Sequence, residues 1–218
     1  MNEKNFKAVV IGGTGVVGRE VVTQLSEADH IDSVFSLTRR PIDYEDPKIK
    51  NHVVDFEDLS VHEDLFSADL FFSCLGTTRK TAGSIPAQRR VDLDYQLDCA
   101  KLAKSQGVKH YLLVSSSGAN RHSPMAYPKM KGQLEYEVKQ LGFDRLTILQ
   151  PSLLLGDRSE RRIGEEIGAF ILPALTKLPG LKKARPITGA EVARRLISES
   201  ARTDEGVNTL TLDEIFMV

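Results

Sequence analysis

Tyr127-Pro128-Lys129-Met130-Lys131 sets a phenol and an ammonium four residues apart. On a helix that spacing puts both on one face. Pro128 is tolerated only where a helix is starting, so Tyr127 is expected at the helix mouth. A free phenol has a pKa near 10, too high for ready proton exchange at neutral pH. A neighbouring ammonium favours the phenolate, which suits Tyr127 to general acid/base work with Lys131 beside it. Upstream, Val114-Ser115-Ser116-Ser117-Gly118 closes an apolar run. A serine hydroxyl at that edge could hold a carbonyl by a hydrogen bond; any of the three serines could serve.

A second constellation stands near the N-terminus. Val9-Val10-Ile11-Gly12-Gly13-Thr14-Gly15-Val16-Val17-Gly18 runs from β-branched residues into a glycine cluster. A helical apolar pattern follows, with Val17, Val21, Val22 and Leu25 at compatible spacing. Gly12, Gly15 and Gly18 are three apart, and Gly13-x-Gly15-x-x-Gly18 matches a dinucleotide fingerprint. Glycines there permit a tight turn, backbone approach to a pyrophosphate and close helix–strand packing. Thr14, Val16 and Val17 complete the loop and open the helix, whose free N–H groups and dipole favour an anion.

The charge at the second strand end selects among nucleotides. NAD-preferring folds place an acid about 20 residues past the loop, on the ribose 2′-hydroxyl. Leu37-Thr38-Arg39-Arg40 carries two guanidiniums and no acid at that tip. Arginine forks match phosphate oxygens in charge and geometry, so NADP(H) is the expected cofactor. Asp55 could accept a bond from an adenine amino group or cap its own turn. Leu75, Gly76 and Thr77, after the fourth strand, offer small groups where a ribose could come near.

These groups need elements to carry them. Strand patterns at Phe6–Ile11, 33–38, 53–55, Leu70–Ser73, 111–115, 146–149 and 208–212 alternate with helical ones near 91–105, 128–141 and 190–201. Alternation of this kind predicts an α/β, doubly wound Rossmann fold, with a mostly parallel sheet flanked by helices. We read residues 1–218 as a single nucleotide-binding domain. Residues 151–188, where apolar residues mix with prolines and with Arg158, Arg161 and Arg162, are read as a small substrate-side lid.

Composition narrows the partners. The 218 residues carry 29 Lys+Arg against 30 Asp+Glu, so no overall field draws nucleic acid or an anionic membrane. No run approaches the roughly 18 apolar residues of a membrane helix. The two cysteines, Cys74 and Cys99, read as buried free thiols, and the five histidines lack metal spacing. The N-terminus resembles no signal peptide and runs almost directly into the first strand, so no partner-binding extension is expected. The chain reads as cytoplasmic.

The glycine loop, the serine cluster and Tyr127…Lys131 resemble the short-chain dehydrogenase/reductase superfamily, in its extended or atypical branch. Further stretches are similar to the atypical reductases of the Tat-interacting, metastasis-suppressor type: Val54-Asp55-Phe56-Glu57, Cys74-Leu75-Gly76-Thr77-Thr78-Arg79, Val91-Asp92, Lys131-Gly132, Phe143-Asp144-Arg145 and Leu154-Leu155-Gly156-Asp157-Arg158. The likeness runs from about residue 6 to 162. It implies NADPH held by Gly12, Gly15, Gly18, Arg39 and Arg40, and a triad of Ser116, Tyr127 and Lys131, with Ser117 an alternative to Ser116. The superfamily's usual asparagine is not found around Asp92–Cys99. The resemblance leads to an NADPH-dependent reductase of a small carbonyl compound. The alternative is an NADPH-binding sensor that turns nothing over, and a sugar-nucleotide epimerase ranks third. A homodimer and regulatory protein contacts are further implications.

Overall fold

The computed structural model describes residues 5–155 and 185–217. Seven strands form one parallel sheet: β1 Phe6–Ile11, β2 Ile31–Thr38, β3 Ile49–Val53, β4 Leu70–Ser73, β5 His110–Val114, β6 Arg145–Gln150 and, last in the chain, β9 Gly206–Thr211. Their order is β3-β2-β1-β4-β5-β6-β9. The direction of winding reverses between β1 and β4, the place where such sheets open a crevice beyond the strand carboxyl ends.

The two faces have separate cores. On one, α1 (Val16–Glu27) packs with the C-terminal helix α6 (Gly189–Ser200), joining Val21, Val22 and Leu25 to Val192, Ala193 and Leu196. Gly189 lies so close to the Val16 carbonyl that a Cβ there would overlap it. The other face is covered by α4 (Tyr95–Ser105) and α5 (Ala126–Gln140) over a stack of Phe66, Phe71, Tyr111 and Phe143. Leu25 is fully buried, so Leu25→Ala is expected to lower unfolding free energy by about 2–5 kcal/mol, read from a denaturant curve.

Most elements lie within a few residues of the expected positions. The third strand differs: 53–55 was expected, and β3 ends at Val53. As an edge strand it carries Lys50, Asn51 and His52, which break the apolar pattern. The helix expected over 91–105 is α4 preceded by α3 (Ile85–Arg89) and a π-helical turn, Arg90–Asp94. Gly107 (φ 83°) stops α4, with Val108 N–H bonded to the Ala103 carbonyl at 3.0 Å. Of the proposed lid, residues 156–184 lie outside the described residues. Its flanks are β7 (Leu154–Leu155) and β8 (Ile187–Thr188), paired in parallel. No described helix is long and apolar enough to cross a membrane.

His110 opens β5 in the interior, with Nε2 2.9 Å from the Thr147 hydroxyl. Burial drives its imidazole down to about 3 from the ordinary 6.5, and His30 and His52 are lowered by burial too. The unfolded chain therefore binds the extra proton below pH 6.5 while the folded chain refuses it. Stability is expected to fall with pH from 6.5 toward about 3, by about 1 kcal/mol per pH unit from this group. Denaturation at stepped pH should show a slope that His110→Gln reduces.

Candidate active site

The loop after β1 is built for a ligand. Gly12 has φ 81°, and a Cβ there would come within 2.5 Å of the Cys74 backbone. Gly18 lies under the loop, where a Cβ would run into the Gly12 carbonyl. Gly15 is different: a Cβ would meet only the Gly12 oxygen, at an ordinary 3.4 Å. Chain packing therefore explains Gly12 and Gly18, and leaves Gly15 to be explained by something outside the chain. Gly15 is also the N-cap of α1 and offers no side-chain cap. The first main-chain bond across this cap runs from Arg19 N–H to the Gly15 carbonyl, at 3.1 Å. The N–H groups of Val16, Val17 and Gly18 precede that bond and face the loop as donors for an anion.

Beyond the loop a cleft of about 780 Å³ opens, lined among others by Gly12, Thr14, Gly15, Arg39, Arg40, Leu75, Gly76 and Thr77. Val16, Val17 and Gly18 are not among its walls. Val17 is buried in the core, so these three can contribute only main-chain groups. The donor set and the uncapped helix fit a dinucleotide pyrophosphate. Gly15→Ala should fold like the native chain and weaken pyridine-nucleotide binding roughly tenfold or more, whereas Gly18→Ala should already lower the melting temperature. Calorimetry of both variants separates the two cases.

Arg39 and Arg40 project from the end of β2, both exposed on the cleft rim. Their turn is clamped from beneath. The Thr38 hydroxyl donates to the Arg40 carbonyl at 2.7 Å, and Asn51 Nδ2 donates to the Thr38 hydroxyl at 2.8 Å. Asn51 also takes the Ile42 N–H on Oδ1, at 2.9 Å. Sequence reasoning missed Asn51, since its role depends on strand pairing. Among the described residues no carboxylate pairs with either arginine, so both guanidiniums are free to meet an anion.

Asp55 is exposed, does not line the cleft, and its Oδ1 accepts the Glu57 N–H at 2.9 Å, the turn-capping one of the two roles expected for it. β3 has ended two residues earlier, so the Asp55 side chain closes its own turn. Phe56 and Glu57 line the cleft in its stead. Glu57 is bonded to Arg90 and to the Tyr95 hydroxyl.

The second constellation gathers at the carboxyl end of β5. Tyr127 is the second residue of α5, whose first turn is held by Asn120 N–H on the Pro128 carbonyl at 2.9 Å. Gly132 lets the helix approach the Asn120–Arg121 backbone more closely than any side chain would allow. The three serines diverge. Ser115 is buried and gives its hydroxyl to Glu135, and Ser117 gives its N–H to the Pro151 carbonyl at 2.9 Å. Ser116 is the serine that acts on the Tyr127 phenol, opposing the rise in its pKa, and its hydroxyl donates to the Ser117 carbonyl at 3.3 Å.

Lys131 is buried, with Nζ 3.1 Å from the Val114 carbonyl. Burial lowers its pKa, opposed by the charges of Asp92 and Glu135 and by Cys74, itself a wall of the cleft. The Tyr127 phenol is pushed up to about 12, first by burial and then by Asp92, with Ser116 opposing. The lowering of the phenol expected from Lys131 is not found: the opposing group is Ser116. Ser116, Tyr127 and Lys131 do not line the cleft; Cys74, which does, acts on Lys131.

The model of a family described as NAD(P)H-binding matches residues 12–171. Protein FMP52, mitochondrial, of Candida albicans is 35% identical over 96% of this chain and 93% of its own. Protein HTATIP2 of Rattus norvegicus is 39% identical, over 74% of this chain and 68% of its own. Among solved structures, MoeE5 in complex with UDP-glucose and NAD superposes with a TM-score of 0.71 at 17% identity, covering 96% of this chain and 79% of that one. A short chain dehydrogenase family protein from Francisella tularensis gives 0.68 at 16% identity, covering 95% and 97%. At such identities the likeness to solved structures is one of fold. The fungal relatives overturn one expectation: those of Candida, Debaryomyces, Aspergillus and Coccidioides are all named mitochondrial, against the cytoplasmic location read from the N-terminus.

Proposed function

The chain belongs to the NAD(P)H-binding, atypical short-chain dehydrogenase/reductase family, and on that footing we propose that it is an NADPH-dependent reductase of a small carbonyl compound. The observation that carries the proposal is Tyr127 with buried Lys131 one turn further along α5, Ser116 acting on the phenol from the end of β5, and a cleft with an uncapped helix N-terminus. The reduced nicotinamide, when bound, supplies hydride. Ser116 holds the carbonyl oxygen of the substrate. Tyr127 gives that oxygen its proton as negative charge develops there, and the phenol's high pKa keeps it in the donating form at neutral pH. Lys131 stands ready to stabilise the phenolate that results and to reach a ribose hydroxyl. Arg39 and Arg40 receive the 2′-phosphate, which sets the preference for NADPH.

A second reading is favoured by the same phenol. At about 12 it is a weak acid, as suits a nucleotide sensor with no turnover. Following NADPH oxidation over a panel of aldehydes, ketones and quinones, beside a nucleotide titration, decides between them. Oxidation supports the reductase, and tight binding without oxidation supports the sensor.

A further inference from the structure

The residues between β4 and α4 contain a buried acid that the proposed reaction does not use. Asp92 is fully buried in the middle of the π-helical turn Arg90–Asp94, whose extra residue per turn pushes it inward. Such turns recur at functional sites. Its Oδ1 accepts the Thr77 N–H at 3.1 Å and so tethers the loop that lines the cleft. Its Oδ2 is buried with no hydrogen-bond partner.

An unpaired buried carboxylate oxygen is costly unless charge nearby compensates it. Lys131 is the matching case, a buried ammonium bonded only to a carbonyl among the described residues. Glu135, the other acid near it, already places both oxygens on Gln150, at 2.9 and 3.0 Å, and one also on Ser115. Asp92 therefore has spare accepting capacity, on a turn that packs against α5, the helix that carries Lys131 and Tyr127; burial raises its own carboxyl and Lys131 opposes that rise. It also acts on the phenol, as a negative charge that disfavours the phenolate.

We propose that Asp92 is the positioning residue of this site, a buried carboxylate whose free oxygen fixes the charge of both Tyr127 and Lys131. It keeps the lysine an ammonium against burial and the tyrosine a phenol, the proton-loaded pairing that a carbonyl reduction starts from. The groups facing the pair are Asp92 from the π-turn, Glu135 from α5, Cys74 from the end of β4 and Ser116 from the end of β5. Of these, Asp92 is the charged group that acts on both. The inference rests on the reductase reading for its purpose, though not for its test.

Asp92→Asn keeps an oxygen for the Thr77 N–H and removes the charge, whereas Asp92→Ala removes both. Phenolate absorbance of the nucleotide-free protein is titrated against Tyr127→Phe, and the Lys131 side-chain resonance is followed by NMR. In Asp92→Asn both midpoints should move to lower pH, the phenol by about one unit. If turnover is present, the basic limb of kcat moves the same way. Unmoved midpoints in Asp92→Asn overturn the proposal and leave Asp92 a loop tether. Should that variant not fold, the Asp92 carboxyl resonance of the native protein is compared with that of Lys131→Met: a rise in its midpoint on losing the lysine supports the coupling, and no change overturns it. Both titrations read protonation alone, so a lack of turnover with shifted midpoints would fault the reductase reading and not this one.

Discussion

Tyr127→Phe is expected to reduce carbonyl turnover by about a hundredfold to ten-thousandfold, the usual worth of a placed general acid, while leaving NADPH affinity unchanged. The hydroxyl it removes is the proposed proton donor, and the phenyl ring that remains fills the same half-buried place at the start of α5. Helix and fold should hold, because α5 is anchored by Leu134 and Val138 in the core and by the tight approach of Gly132. The effect should fall on kcat rather than on KM, as befits an interaction made in the transition state. Steady-state kinetics with a reducible carbonyl, beside fluorescence titration of NADPH, supply the check. Full activity in the variant would remove Tyr127 from the chemistry.

Replacing Arg39 and Arg40 together by glutamine is expected to weaken NADPH binding by about ten- to a hundredfold and to leave NADH binding almost unchanged. Each guanidinium can make a charge-assisted bond to phosphate, but both are exposed on the cleft rim, so salt screens part of their strength. The loss should therefore shrink at high ionic strength. The turn itself should survive, since Thr38 and Asn51 hold it through main-chain and side-chain bonds that do not involve the guanidinium groups. Calorimetric titration with both nucleotides at two salt concentrations measures the effect. Equal losses for NADPH and NADH would mean that the arginines act on something other than the extra phosphate.

The parts of the fold that could be read from the chain are those where burial is complete. β1 and β4 are interior strands of mostly buried, mostly apolar residues, and Phe6–Ile11 and Leu70–Ser73 were assigned to the residue. β3 was displaced because an edge strand exposes Lys50 and Asn51 and so loses the pattern. The glycine loop was legible because Gly12 and Gly18 answer local demands, the turn at the one and close packing at the other. Helical spacing put Tyr127 and Lys131 on one face, and the glycine loop and serine cluster gave that pair its weight as a candidate site. Asn51 and Asp92 were not legible, for their work depends on partners 13 and 15 residues away in the chain, brought close by strand pairing and by the π-turn. Asp55 was left with two roles for the same reason: whether it faced a ligand or its own turn depended on where β3 stopped.

Direct titration of the purified protein with NADPH and with NADH tests the central claim. Binding of NADPH at least tenfold tighter than NADH, with the difference falling as salt rises, is the result that a glycine-lined helix N-terminus flanked by two free guanidiniums leads to. No binding of either nucleotide, or tighter binding of NADH, would contradict it.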